Sequence, residues 1–257
     1  MNFVCILFVF CYNKYMQPAG LKGRNFVSKL VSSLLTIFCV LLSLVSICFA
    51  VFNLYYKKTR VRGYSMRPTI NSNVSGMEQD GDYVFINTNA SLKRDTVVVA
   101  YVSWWKKGSI IKRMVGTPGD CVQILNNTSS YDLCVNGELI YSKAKQDQNG
   151  NINLSVKNYY ERKYLKFISN STIGSSGENI DHSANIGSFN GQPCIKLNEG
   201  EYFLVGDNWS DTMVDSMTYG PVDKQAIVGV VEYIIDVNDN YVWECVKQIF
   251  KILFTVY

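Results

Sequence analysis

Histidine is nearly missing from this 257-residue chain; a single residue, His182, sits in a Ser-, Gly- and Asn-rich stretch. That setting predicts an exposed loop residue and leaves little room for histidine catalysis. None of the eight cysteines forms a Cys-x-x-Cys pair, which argues against a zinc site. The net charge of +4 is modest, and no basic run with interleaved aromatics points to nucleic acid. Charge vanishes altogether from Leu30–Phe52. A helix needs about 20 apolar residues to cross a bilayer, so this stretch is long enough, whereas a cleaved secretory signal has an apolar region of only about 7–15. A retained anchor is therefore expected. It also explains a mean hydropathy of +0.02 in a chain whose remainder is ordinarily polar.

The flanks do not orient the anchor. Lys14, Lys22, Arg24 and Lys29 precede it, and Lys57, Lys58, Arg60 and Arg62 follow it, which leaves the positive-inside rule silent. The apolar run at residues 1–12 is too short to cross alone, and both Met1 and Met16 stand open as starts.

Beyond the anchor the chain reads as β-rich. YVFI (83–86), TVVVAYV (96–102), SIIKRMV (109–115), CVQIL (121–125), EYFLVG (201–206) and IVGVVEYII (227–235) are short β-branched and aromatic runs divided by Gly, Asn, Asp and Pro. They predict an antiparallel sandwich or barrel. A hairpin centred between Asn127 and Thr128 sets Cys121 opposite Cys134, so a disulfide there is one expectation and two free thiols the other; the disulfide requires an oxidising compartment. Residues 142–198 read as a variable, loop-like excursion around the mixed segment NYYERKYLKFI. The tail has apolar residues at 242, 245, 246, 249, 252, 253 and 256, with Lys247 and Lys251 opposite. This is an amphipathic helix, to be packed on the domain or laid in a membrane interface.

Two segments carry candidate chemistry. In GYSMRPTI, Gly63 permits an unusual backbone before Ser65 and Pro68 fixes a turn after it, a setting that exposes a hydroxyl and its own N–H. Alone, the segment reads equally as an ordinary turn. In SIIKRMVGTPGD, strand alternation puts Ile110, Lys112 and Met114 on one face. A lysine so placed ordinarily snorkels out to water. Stripped of water it becomes a neutral amine, able to take a serine proton where no histidine serves.

The ordered set GYSMRPTI, GDYVFINT, IKRMVGTPGD and GDNWSDTMVDSMTYGPV resembles the boxes of bacterial type I signal peptidases, serine/lysine proteases of family S26, over roughly Arg60 to Glu232. The resemblance implies coiled antiparallel β-sheets and a membrane-bound endopeptidase that cleaves signal peptides from exported preproteins. It implies Ser65 as nucleophile, Lys112 as general base and the Ser65 N–H as part of the oxyanion hole. Met66, Ile70, Ile86 and Ile111 are implied as lining of shallow apolar pockets for small side chains, with the substrate strand paired to protein backbone. No metal or organic cofactor is implied, and the partners are preproteins and the lipid bilayer. The expected organisation is an N-terminal segment (1–29, partly cytoplasmic), a single transmembrane anchor (30–56), a monomeric catalytic domain on the extracytoplasmic side (57–240) and the tail (241–257).

The last box departs from the family pattern by one inserted residue, so Thr212 is expected in place of the serine that orients the lysine amine, with Ser210 the weaker candidate. Met217 stands where an arginine normally pairs with Asp215. Arg113 or water is then expected to compensate Asp207 and Asp215, unless Asp215 is exposed. Gly63, where some relatives carry a hydroxyl, leaves a second oxyanion donor unidentified. Two other classes share parts of this pattern. Self-cleaving Ser/Lys repressors need a DNA-binding motif and no anchor; the more serious rival is an impaired or non-enzymatic anchored surface protein of the same fold.

Overall fold

The structure, a computed structural model, describes residues 25–75, 81–106, 108–174, 177–210, 212 and 214–254. It divides into two units, one ending at Val51 and one running from Phe52 onward. The first is built on helix α1 (Asn25–Tyr55). Ser28–Tyr55 is long and apolar enough to cross a membrane, and its most apolar 18-residue stretch has no residue buried in protein. The start-site question and the 1–12 run lie outside the described residues.

The second unit is antiparallel throughout its strand pairings. β1 (Tyr56–Arg60), β2 (Tyr83–Asn87), β3 (Thr96–Ala100), β4 (Ile110–Gly116), β12 (Glu201–Val205), β13 (Val222–Asp223) and β14 (Ile227–Ile235) form one sheet in the order β1-β2-β14-β3-β4-β12-β13. β5 (Cys121–Asn126), β6 (Ser130–Val135), β7 (Glu138–Ala144), β10 (Ile186–Phe189) and β11 (Gln192–Lys196) form a second in the order β10-β11-β5-β6-β7. β8 (Thr172–Ile173) and β9 (Asn179–Ile180) pair alone. Alternation sorts β3 between two cores: Val98 and Ala100 join one cluster, Val97 and Val99 another.

The excursion is not loop-like. It contributes β10 and β11 and a helical segment of three parts: α2 (Leu154–Tyr159), a π-helical turn (Tyr160–Tyr164) and α3 (Leu165–Ile168). Val156, Tyr159, Tyr164 and Phe167 bury against Leu133, Ile195 and Phe203. The step of five from Tyr159 to Tyr164 crosses the π turn, and that extra residue breaks the 3.6-residue period by which helices are recognised. His182 is buried rather than exposed, at 2 % accessibility. Its ring stacks on Phe167 at 3.8 Å, and Nε2 lies 3.2 Å from the Thr218 carbonyl.

The disulfide joins Cys121 to Cys194, with Cα atoms 5.6 Å apart, and Cys134 is free and buried. The hairpin turns one position later than expected, pairing Asn126 with Tyr131 and Gln123 with Cys134. Cys121 then approaches Asn136, whose side-chain oxygen accepts the Cys121 N–H at 2.8 Å. On its other side Cys121 pairs with Lys196, which sets Cys194 diagonally opposite on the same face.

The tail forms α5 (Tyr241–Phe254). Cys245 is buried with Phe85 and Ile235, and Tyr241 packs beside them, while Trp243 is exposed. The first turns are thus packed on the domain. The apolar side chains at 242, 249, 252, 253 and 256 lie outside the description.

Candidate functional site

Lys112 lies mid-strand in β4, which buries Ile110, Lys112 and Met114 and leaves Ile111 and Arg113 partly exposed. Its side chain is 5 % accessible. Nζ donates to Ser65 Oγ at 2.7 Å and to the Ile111 carbonyl at 2.9 Å. Burial dominates its electrostatics and brings the amine down from 10.5 to about 8. Asp215 and Asp207 oppose the shift, and Lys163 reinforces it.

Ser65 is held from both ends of its loop. The Ser65 carbonyl accepts the Asn208 N–H at 3.0 Å and the Thr212 hydroxyl at 3.3 Å. The Tyr64 carbonyl accepts the Asn208 side-chain amide at 3.1 Å. Past the cis Arg67–Pro68 bond, Asn71 is buried in a left-handed conformation (φ 60°). Its backbone N–H donates to Asp82 at 2.7 Å, its amide donates to the Gly63 carbonyl at 2.9 Å, and its side-chain oxygen accepts the Asp82 N–H at 2.8 Å. Asp82 reaches on to the Val237 N–H at 3.1 Å. The Ser65 loop is therefore clamped to the loop that follows β12 on one side and to the start of β2 on the other. Asn71, Asp82 and Asn208 were not singled out from sequence, although Asp82 and Asn208 lie within the quoted boxes.

Thr212 is buried beside the pair, but its hydroxyl bonds the Asn208 and Ser65 carbonyls rather than the lysine amine. It fixes the Ser65 backbone. Ser210 is exposed, with its N–H on Asn208 Oδ1. Gly206 leaves the space for this contact: a Cβ there would lie 2.1 Å from Thr212 Oγ1 and 2.7 Å from the Ser65 carbonyl oxygen.

The two aspartates have separate partners. Arg113 binds Asp207 through two nitrogens, at 2.8 and 2.7 Å, and Thr69 donates to the same carboxylate at 2.5 Å. Arg113 also contacts Asp95 at 3.0 Å. Asp215 is fully buried, and its described side-chain partners do not include Arg113, which binds Asp207 instead. It accepts the Tyr159 hydroxyl at 2.5 Å and the Lys163 ammonium at 3.2 Å. Met217 lies in the core beneath. The excursion thus supplies the cation absent from position 217, and the sequence signal was that absence together with the Arg-Lys pair in NYYERKYLKFI. A cavity of about 440 Å³ adjoins Tyr159, Lys163, Trp209 and Thr212 but is not lined by Ser65 or Lys112.

Met66, Ile70, Ile86 and Ile111 gather in one cluster with Val84 and Val99. The first three are no more than 3 % accessible, so Ile111 and the neighbouring Val228 and Val231 supply the surface of this cluster.

The model of the family described as signal peptidase, peptidase S26, matches residues 30–235. The chain belongs to that family. Among its relatives, signal peptidase IB of Staphylococcus aureus is 28 % identical over 177 residues, covering 67 % of this chain and 74 % of the relative. Signal peptidase I of Bacillus licheniformis is 25 % identical over 186 residues, covering 68 % and 73 %. A crystal structure of a signal peptidase I from Enterococcus faecalis covers 56 % of this chain and 98 % of its own at 17 % identity, with a TM-score of 0.30. In this S26 chain no group of three or more His, Cys, Asp or Glu placed to hold a metal occurs among the described residues.

Proposed function

We propose that this chain is a membrane-bound signal peptidase that cleaves the signal peptides of exported preproteins by a Ser65–Lys112 dyad. The observation that carries the reading is a buried amine hydrogen-bonded to a serine hydroxyl at 2.7 Å. In its neutral form Lys112 takes the Ser65 proton as Oγ attacks the scissile carbonyl, then passes it to the departing amine. Water, deprotonated by the same lysine, cleaves the acyl-enzyme. The Ser65 N–H, which has no hydrogen-bond partner among the described residues, is available to the oxyanion. Ile111, over a floor of Met66, Ile70 and Ile86, receives small side chains before the cleavage point, with the substrate paired to backbone as an added strand. Arg113, Asp207, Thr212 and Asp215 hold the frame.

Helix α1 serves as the membrane anchor, and the bilayer and preproteins are the partners of a monomeric catalytic domain. A Cys121–Cys194 disulfide supports placing that domain on the extracytoplasmic, oxidising side. The rival of an impaired surface protein rested on the missing arginine, and the ion pair between Lys163 and Asp215 weighs against it.

The test is cleavage of a model preprotein by the full chain in detergent micelles, read by mass spectrometry of both products. Wild type should cut once, after the signal peptide, while Ser65→Ala and Lys112→Met should leave the preprotein intact. Turnover by either variant at more than a few per cent of wild type would end the dyad, and an inert wild type would favour the surface-protein reading.

A further inference from the structure

We propose that Lys163, carried into the site on the π turn of the 142–198 segment, is a positioning residue for the Ser65–Lys112 pair. The inference rests on the dyad reading above and adds a residue that none of the four sequence boxes contains.

Three contacts place it. The ammonium lies 3.2 Å from Asp215 Oδ1 and donates to the Thr212 carbonyl at 2.7 Å. It also sits 4.9 Å from the centre of the Tyr159 ring, which stacks on Trp209 at 4.5 Å. Thr212 in turn donates its hydroxyl to the Ser65 carbonyl. A continuous path of polar contacts therefore runs from the buried carboxylate through Lys163 and Thr212 to the nucleophile's backbone. Deleting Lys163 removes the donor to Thr212 and leaves Asp215 with Tyr159 as its remaining described partner.

Lys163 also acts on Lys112 through charge. An unbalanced carboxylate at Asp215 would favour the ammonium form of Lys112, the form that cannot accept a proton. The paired cation offsets it, so that burial decides the protonation state. Asp207 faces Lys112 too, but Arg113 occupies its oxygens and Lys143 donates to its carbonyl at 2.8 Å. The π turn has a structural use here. A regular helix would carry positions 163 and 164 round by one residue, trading the burial of Tyr164 against the reach of Lys163.

The experiment titrates the Lys112 amine by NMR in full-length protein carrying 13Cε-lysine, the signal being assigned by its loss in Lys112→Met. This readout does not depend on turnover. Lys163→Met should raise the Lys112 midpoint by about one pH unit, and Asp215→Asn should lower it by a similar amount. The double variant, which removes both charges, should return it close to wild type. In parallel, Lys163→Arg should keep preprotein cleavage within about threefold of wild type, and Lys163→Met should lose at least about tenfold in kcat with KM little changed. A Lys112 midpoint within about 0.3 of wild type in both Lys163→Met and Asp215→Asn would overturn the proposal. So would wild-type kcat in Lys163→Met. If Lys163→Met does not fold, the midpoints of Asp215→Asn and the double variant decide it. An inactive wild type with the expected midpoint pattern would sink the peptidase reading while leaving the coupling intact.

Discussion

Replacing Lys112 by methionine should destroy cleavage and stabilise the protein. The site holds an amine at 5 % accessibility that would ordinarily titrate at 10.5 and here titrates near 8. At neutral pH the amine is charged in both the folded and the unfolded chain. The folded state then carries the cost of burying the ammonium, on the order of 3 kcal/mol. The sign follows from proton binding. Between about pH 8 and 10.5 the unfolded chain holds more protons at this residue than the folded one, so the contribution of Lys112 to stability improves as pH rises through that window. Methionine fills nearly the same volume without charge, and Ser65, which is only partly buried, can turn to water. Lys112→Met should therefore unfold at a temperature higher by about 6–12 °C at pH 7, given roughly 2–4 °C per kcal/mol for a domain of this size. That gain should shrink toward zero at pH 10.5. Thermal unfolding in detergent, followed by circular dichroism at both pH values, measures it. A variant that is less stable at pH 7, or whose advantage is the same at both pH values, would refute the claim that desolvation dominates this site.

Other consequences follow from the geometry. Gly206→Ala drives a Cβ into the Ser65 carbonyl and Thr212, so preprotein cleavage should fall by about 100-fold, because displacement of the nucleophile's backbone by a fraction of an ångström is enough; activity within threefold of wild type would show that the contact does not position Ser65. Mass mapping of protein isolated without reductant should recover Cys121 linked to Cys194 and Cys134 as a thiol. Cys194→Ala should cost up to about 4 kcal/mol for a loop of 73 residues. A Cys121–Cys134 peptide would restore the hairpin register first expected from the sequence.

The parts of the fold legible in the sequence are those where local pattern and burial agree. Ile227–Ile235 reads as a strand and is one, because every residue is β-branched, aromatic or small apart from Glu232. The pairing of Ser65 with Lys112 was legible because Lys112 interrupts an apolar strand and Ser65 sits between Gly63 and Pro68. The helical segment at 154–168 was not, since its buried residues advance by three, five and three across the π turn. The same irregularity concealed Tyr159 and Lys163, which are the partners of Asp215. His182 was misplaced because its neighbours are polar while its ring packs on Phe167 from fifteen residues upstream. The disulfide was missed through a shift of one position in a hairpin, set by the turn that bonds the Asn127 N–H to the Ser130 carbonyl at 3.0 Å.

The pH dependence of kcat/KM for preprotein cleavage tests the central claim most directly, since it reports the ionisation of the free enzyme's base. The rate should climb through an acid limb centred near pH 8, the midpoint expected for Lys112, and His182→Gln should leave that limb in place. A profile flat from about pH 6 to 9, or a limb near 6.5 that disappears in His182→Gln, would contradict the account.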